Sequence, residues 1–516
     1  MSSMPIDNAE GEMPLRLGPA ADFARIREFL PAAGYDNATI FRALNVDAAH
    51  DLSRIDPARC DLSPCAPPLA LLIKLFVLLQ FVPTEEAESA LGAATLDSFL
   101  ALGLLRQNGD HSRRCGTSVL LHPVGDLLIV SDRLTRPDGS PVAAALPDAV
   151  LPAAFVGTLR FLDLITNYDA EDVLDLCSGS GVAALALSPR AARVVSADIT
   201  ERATLFAEFN RRLNNRENVE VVRGDLYGPV EGRTFDFIVA HPPYVPAARD
   251  AVIYRDGGAT GEALVQRIVE ELPRHLRPGG MFLNTSYGID TEDASFEQRA
   301  RRWLGAAGEE FDVIFATQNE MSPREAVEAV RQADPQIAAA ELAQIEQAFA
   351  DIRAVQRSYG GLAIRRRRDC RPARPAWTAR ARLSEKTDAA SFARAFRWHE
   401  IGGAPDFAET FRGLKPRLAP DLAVKVTYRV AGGELAPSAY VLETERPFDI
   451  NSKVDPEMMA VLAHCRGAET AEQIYRALRE AAIIPARLSF ADFSAFVAAM
   501  IERGYLTIDE LEAETP

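Results

Sequence analysis

The sequence predicts an α/β protein: a doubly wound sheet of seven strands, flanked on either side by a small α+β domain. Three observations predict it. From about residue 150 to 368, short apolar runs alternate with helical segments, the rhythm of a parallel sheet with crossover helices. One of those runs, Val173–Cys177, leads directly into the glycine-bearing turn Ser178-Gly179-Ser180-Gly181 and then a helix. The length, 516 residues, exceeds one ordinary domain, so about three are expected.

Composition bounds the rest. Hydrophobic residues make up 48% and charged residues 25%, the balance of a globular chain. A formal net charge of −17 argues against a general nucleic-acid binder, DNA above all, which needs a basic footprint, and leaves a local basic patch, and with it a contact with RNA, open. Of six cysteines only Cys60 and Cys65 lie close together, without paired C-x-x-C spacing, so reduced intracellular thiols are expected. The start, MSSMPIDNAEGEMPLRLG, has no basic stretch followed by an apolar one, so a cytoplasmic protein without a secretory signal is expected. Leu69–Val82 is the most apolar stretch, but its 14 residues, interrupted by Lys74 and Gln80, fall short of the roughly 20 that span a bilayer. It reads as a buried core helix, and no membrane partner is expected.

Taken in order, residues 1–145 are expected to form a helical, winged-helix-like domain. TEEAESALG and TLDSFLALGLL have apolar residues at helical spacing, and SVLLHPVGDLLIVSDR follows with two apolar runs around Pro123-Val124-Gly125. Helix, helix and hairpin suit a winged helix or any other small α+β domain. Residues 146–368 carry the sheet, with strands at Val173–Cys177, Val194–Asp198, Val219–Gly224, Phe235–Ala240, Gly280–Thr285, Phe311–Thr317 and Gly361–Arg366. A helical insertion, 322–357, opens with the capping box Ser322/Glu325 and Pro323 in the first turn. It leaves the carboxyl edge of the sheet, which predicts a helical cap over a substrate mouth; the alternative is a helical pair packed aside. Arg365–Lys386 holds nine basic residues against two acids and reads first as a domain boundary, second as a contact for an acidic partner or RNA. Residues 369–516 then end in three short helices and a closing strand. Asp455 caps Pro456, Thr470 boxes with Gln473, and Gly504 stops the last helix. This too is winged-helix-like, and resembles small peptide-recognition modules.

The candidate chemistry lies in the middle. Gly179 and Gly181 can take positive φ and let a ligand approach the backbone, while Asp175 near the strand's end can meet a cation. Asp198 ends the next strand, 23 residues on, as a carboxylate gripping ribose hydroxyls would. The third glycine of a dinucleotide fingerprint is absent, Ala184 standing there. Asp225, in VVRGDLYGP, follows a third strand and can accept from an adenine amino group, with Ile199 and Leu226 flanking the ring. Three acids at three successive strand ends match the ligand crevice of a doubly wound sheet. Beside them FDFIVAHPPYVP, Phe235 to Pro246, ends a buried strand on two prolines, which hold His241 and Tyr244 in a stiff extended turn. Such placement matters where a group must travel in line to its acceptor.

Asp-x-Cys-x-Gly-x-Gly at 175–181, Asp198, Gly-Asp-Leu-Tyr at 224–227 and Phe-Asp-Phe-Ile-Val-Ala-His-Pro-Pro-Tyr at 235–244 resemble the class I S-adenosylmethionine-dependent methyltransferases. Among these the chain looks most like the release-factor glutamine methyltransferases and related amino-methylating enzymes. YRDGGATGEALVQRIVEELPRHLRPGGMF is similar to the stretch following the motif in that group, and the resemblance runs from Glu171 to Asn284. It implies a Rossmann-like core with S-adenosylmethionine as cofactor. Asp175, Cys177, Gly179 and Gly181 would then lie at the methionine moiety, Asp198 at the ribose, and Asp225, Leu226 and Ile199 around the adenine. In the family the first residue of the Pro-Pro-Tyr motif is usually Asn, Asp or Ser, whose oxygen accepts from the target nitrogen together with the first proline's carbonyl, here that of Pro242. His241 departs from that pattern.

Histidine accepts through an unprotonated ring nitrogen or, with a reference pKa near 6.5, acts as a general base; its plainer role is to end the strand. Tyr244 stacks on a planar substrate group or walls the methyl site. The leading expectation is methyl transfer to a nitrogen of a peptide, protein or natural product. The alternatives are O- or C-methylation of a small molecule with His241 as base, and an adaptor whose winged modules recognise peptide or RNA. No metal is expected: His50, His111, His122, His275, His399 and His464 lie apart, and His275 is expected as a surface or C-terminal residue of a helix.

Overall fold

The computed structural model describes all residues except 1–12, 48–51, 53–54, 108–112, 134–145, 249–251, 369–374 and 513–516. The chain falls into two compact units. One comprises Met1–Asp163, Glu171–Ile268 and Ala338–Ile345, the other Leu164–Ala170, Val269–Ile337 and Glu346–Pro516. Among the described residues no helix is long and apolar enough to cross a membrane.

Strands stand at each of the seven expected places: β1 Ala170–Leu176, β2 Ala191–Asp198, β3 Val219–Arg223, β4 Phe235–Ala240, β5 Leu276–Thr291, β6 Phe311–Met321 and β7 Ala354–Arg366. An eighth, β8 Thr378–Arg382, joins them, so the sheet has eight strands rather than seven, in the order β3-β2-β1-β4-β5-β7-β6-β8. β1 runs parallel to β4 with Asp175 opposite Val239 and Leu176 opposite Ala240; β2 runs parallel to β3 with Asp198 opposite Arg223. β7 is antiparallel to both β5 and β6. From β1 the sheet grows towards β2 on one side and β4 on the other, so a topological switch point lies at the carboxyl end of β1.

In the first unit the helix after β2, α1 (Glu201–Leu213), is capped by Thr200, whose hydroxyl accepts from the Ala203 amide. Its inner face buries Phe206, Phe209 and Leu213 in the same core as Phe23, Phe76 and Phe99 from the amino-terminal helices. Phe23 meets Phe209 edge-on at 4.9 Å. The hairpin Val119–Val124/Leu127–Asp132 is tied to α1 as well: the Asn210 amide accepts from Val130 N at 2.8 Å and donates to Val130 O at 2.9 Å. Beneath it the Arg202 guanidinium donates to the Asp132 carboxylate at 2.6 Å, both side chains buried. Apolar packing is therefore continuous across the boundary near residue 145. The Leu69–Val82 run is a helix over Pro67–Leu72 that widens into a π turn at Ile73–Val77, with the strand Val82–Pro83 beyond it. Helices Thr84–Leu91 and Ala93–Ala101 and strands Arg106–Gln107 and Arg114–Gly116 follow. The three short strands form a sheet in the order first, third, second.

In the second unit β8 comes from the arginine-rich segment expected to be a boundary. Charge pairing explains it, because the Arg380 guanidinium donates to Asp290 and Glu297 at 2.6 Å each. A run of like charges reads as solvated only while its partners are unseen. The insertion forms two helices, Pro323–Ala333 and Ala339–Asp351, the first opened by the expected Ser322/Glu325 box. The closing module has helices Pro456–His464, Ala471–Glu480 and Phe490–Glu502, with Asp455 and Thr470 as caps. Gly504 sits at φ +79°, where a Cβ would strike the Arg446 carbonyl. His275, the last residue of the helix Ala263–His275, is buried rather than at the surface.

Candidate active site

The carboxyl ends of β1 to β4 bring the sequence-predicted residues together. After β1 the chain turns through Cys177 at φ +56°, Gly179 at +54° and Gly181 at +77°. The two glycines serve different ends. A Cβ on Gly181 would sit 3.0 Å from the Ala207 Cβ and 3.2 Å from its Cα, so glycine there lets the turn press onto α1. A Cβ on Gly179 would meet nothing within 4 Å, so that peptide faces open space.

Asp175 is almost wholly buried and accepts from the Ala184 amide at 3.1 Å. Burial pushes its carboxyl up to about 8, with the Asp198 charge adding to the rise and the amide working against it. Asp198 accepts from the Gly179 amide at 2.9 Å and the Thr200 amide at 3.0 Å, which locks the turn to the second strand. Burial raises its pKa too, against the pull of those amides. Asp225 lies two residues beyond β3, half-exposed, and its carboxylate takes a 2.7 Å bond from Arg267. Leu226 beside it has φ +46°, and Ile199 is half-exposed.

Cys177 lies in the same turn. Burial drives its thiol well above the ordinary range, and Asp198, Asp175 and Asp225 then each push it further, with Arg267 opposing.

β4 delivers the other half. Leu176 pairs with Ala240 in parallel register, so His241 leaves its strand at the same edge as the turn that begins at Cys177. His241 stacks on Phe161 at a centroid distance of 5.0 Å and leans on Tyr244 at 5.8 Å. Its Nε2 is buried with no hydrogen-bond partner among the described residues, and desolvation lowers the ring's pKa to about 4. The imidazole is therefore neutral at physiological pH, with an unused polar atom. Pro242 is buried. The turn is braced from the side by the segment 255–257: Val245 N donates to Arg255 O at 3.0 Å and Gly257 N to Val245 O at 2.9 Å. A Cβ on Gly257 would lie 2.7 Å from the Pro243 carbonyl, so only glycine passes so close.

Three contributors carry no signal in the sequence. Phe161 reaches His241 from a helix fourteen residues before Asp175, Arg267 occupies Asp225 from a helix forty-two residues on, and Gly157 brings its own helix within reach of the Tyr244 hydroxyl. No local pattern marks them. Among the described residues the arrangement offers a neutral acceptor nitrogen, two acidic side chains, Asp175 and Asp198, with no ion pair, and an open glycine turn between them, which suits a cationic nucleoside set beside a nucleophile. S-adenosylmethionine fits that description: the residues for it are Asp175 and the Gly179 turn, Asp198, and the Asp225–Leu226 segment.

Comparison with known proteins agrees with this geometry. The profile of a methyltransferase small domain matches residues 156–287, and that of a domain of unknown function, DUF7059, matches 32–115. A ribosomal protein uL3 glutamine methyltransferase from Bradyrhizobium diazoefficiens is 33% identical over 160 residues, 28% of this chain and 50% of its own length. A provisionally named protein N5-glutamine methyltransferase from Methanocaldococcus jannaschii is 32% identical over 142 residues, 26% of this chain and 70% of its own. A release factor glutamine methyltransferase from Gloeobacter violaceus is 34% identical over 134 residues, 23% and 47%. The chain thus spans about half the length of two of these three relatives.

Proposed function

We propose that this chain, which belongs to the class I S-adenosylmethionine-dependent methyltransferases in the group of the release-factor glutamine methyltransferases, moves a methyl group to a nitrogen of a protein. One observation carries the reading: Asp175 and Asp198 flank the open Gly179 turn while His241-Pro242-Pro243-Tyr244 emerges from the neighbouring strand. Bound there, S-adenosylmethionine supplies a methyl group on a positively charged sulfur.

The chain's own residues hold and orient. Asp198 keeps lone pairs for ribose hydroxyls beyond the two amides it already accepts from. Asp175 gives a buried negative charge to the methionine end, with Cys177 and Gly181 shaping the turn. Asp225 with Leu226 and Ile199 takes the adenine. Arg267 yields at little cost, since a half-exposed ion pair is worth roughly 0–1 kcal/mol.

His241 stands where the group usually has Asn, Asp or Ser, and we assign it the role those residues play there. Its ring nitrogen accepts a hydrogen bond from the acceptor N–H, beside the Pro242 carbonyl. Base catalysis, which the O- and C-methylation readings need, is disfavoured because a pKa of about 4 lies well below the roughly neutral optimum of a general base. Tyr244, leaning on His241, walls the acceptor.

A protein acceptor is favoured over a natural product because the relatives are named for methylating a ribosomal protein and release factors. The amino-terminal order of helix, strand, two helices and two strands, with the sheet ordered first, third, second, supports a winged-helix module that presents the acceptor. The test is to titrate the full chain with S-adenosylmethionine calorimetrically, then incubate it with translation factors and ribosomal proteins and map added methyl mass by fragment spectra. Methylated nitrogen in a protein is expected. Binding without any labelled protein, or label only as a base-labile ester, overturns the reading.

A further inference from the structure

The arginine run that no part of the methyl-transfer site uses opens onto a cavity of its own. Within the second unit a hollow of about 320 Å³ is lined by Arg365, Arg368, Arg394, Arg397 and Arg446. That is an unusual lining in a chain with a formal net charge of −17. Three elements supply it: the end of β7, the helix Ala389–Gly402, where Arg394 and Arg397 share a face at i, i+3, and the Arg446-Pro447 turn.

The guanidiniums are held in place. Arg394 donates to the carbonyls of Ile501 and Leu506 at 3.1 and 3.0 Å. Arg446 donates to Asp388 at 2.8 Å and lies 3.9 Å from Asp421, and Glu400 stands 3.8 Å from Arg365 and 3.6 Å from Arg397. Gly279, at φ +86°, leaves the space that Arg368 fills, since a Cβ there would lie 2.8 Å from the Arg368 Nε. Among the described residues the lining holds five arginines and one acid, Asp421, with Asp388 and Glu400 paired to three of the arginines, so positive charge is in excess around the hollow. The Nε of Arg397 is buried without a hydrogen-bond partner among the described residues. Arg365 points the same way: burial lowers its pKa against the opposing pull of Glu400 and Tyr168, and the Arg368 and Arg397 charges add to the lowering. Arginine cannot shed its proton to relieve this, so the excess awaits an anion.

We propose that the cavity binds a small organic phosphomonoester. A phosphomonoester carries close to two negative charges above its second pKa near 6 and presents three acceptor oxygens to forked donors, which matches the excess and the geometry of guanidinium groups. Tyr168, Met281, Pro447 and Leu511 give the wall apolar area beside the polar Ser391, Asp421 and Thr507, and so suit an organic body rather than a bare ion. A concave site near the lower end of the ~300–1,000 Å³ typical of small-ligand pockets encloses a small molecule rather than a peptide segment.

The test uses the full chain with S-adenosylmethionine present, titrated calorimetrically with adenosine 5′-monophosphate, phenyl phosphate, adenosine, inorganic phosphate and a phosphoserine peptide. The phosphate esters are expected to bind at least about tenfold more tightly than adenosine or inorganic phosphate, and to weaken as pH falls through about 6. Arg368→Gln, at an exposed position, and Arg397→Gln are each expected to weaken them about tenfold, with thermal midpoint and S-adenosylmethionine affinity unchanged for the former. Absent ester binding, equal binding of adenosine, indifference to Arg368→Gln, or binding of the phosphopeptide alone each overturns the proposal. Affinity for S-adenosylmethionine, read in the same titrations, reports separately on the methyltransferase site.

Discussion

Cofactor binding should expel a proton, and Asp175 is where it comes from. In the free protein burial holds this carboxyl at about 8 against an ordinary 3.8, so at pH 7 it is protonated in about 0.9 of molecules. A cation placed against it favours the carboxylate, and the proton leaves. Titration with S-adenosylmethionine at pH 7 in buffers of different ionisation enthalpy should therefore give a slope near one proton released per cofactor, falling towards zero above about pH 9. The stability of the free protein carries the same signature. A raised carboxyl pKa means that between 3.8 and about 8 the folded state holds a proton the unfolded chain has lost, so stability falls as pH rises through that window. By pH 7 the deficit is roughly 4 kcal/mol at about 1.4 kcal/mol per unit, an upper bound for what Asp175→Asn recovers. Asn at 175 should thus raise the urea midpoint at pH 7, abolish the proton release and weaken cofactor binding. No proton release in the wild type, or an undiminished slope in Asp175→Asn, would refute the reasoning.

Other outcomes follow from the same contacts. His241→Asn should keep a substantial part of the activity while His241→Ala loses about a hundredfold, and the wild-type rate should show no His241 titration between pH 6 and 8, because burial places that ring near 4; a rate that tracks a group near 6.5 and is lost equally in both variants would restore the base. The same depression makes His241 cost stability as pH falls from 6.5 towards 4, a loss that His241→Asn should remove from the acid limb of a pH-stability curve. Arg202→Leu strands the buried Asp132 carboxylate and should cost about 3–5 kcal/mol by urea unfolding. Gly181→Ala forces a Cβ to 3.0 Å from Ala207 at φ +77° and should cost about 2–4 kcal/mol, whereas Gly179→Ala carries only the backbone cost, of order 1–2 kcal/mol; comparable thermal midpoints for the two would contradict the account of the turn.

The sheet could be read from the chain because each strand is a short apolar run closed by a turn signal, and seven of eight stand where those runs lie. The acids were legible for a related reason: a doubly wound sheet places successive strand ends at one edge, so spacing along the chain becomes proximity in space. What escaped depends on partners remote in sequence. β8 hides in an arginine-rich stretch because its charge is balanced by Asp290 and Glu297, some ninety residues earlier. The continuity of the amino-terminal helices with α1 rests on Phe23 meeting Phe209, which no local period announces. Arg267 on Asp225 and Phe161 under His241 are likewise single long-range contacts. The low pKa of His241 belongs to the packed state alone, since composition around Pro242 says nothing of how well its ring is sealed.

A crystal structure of the chain with S-adenosylhomocysteine, the product left after transfer, tests the central claim most directly. The account predicts density with ribose hydroxyls on Asp198, the amino-acid end along Asp175 and Gly179, and the sulfur facing the Nε2 of His241. A nucleoside bound elsewhere, or bound with its sulfur turned from His241, would contradict it.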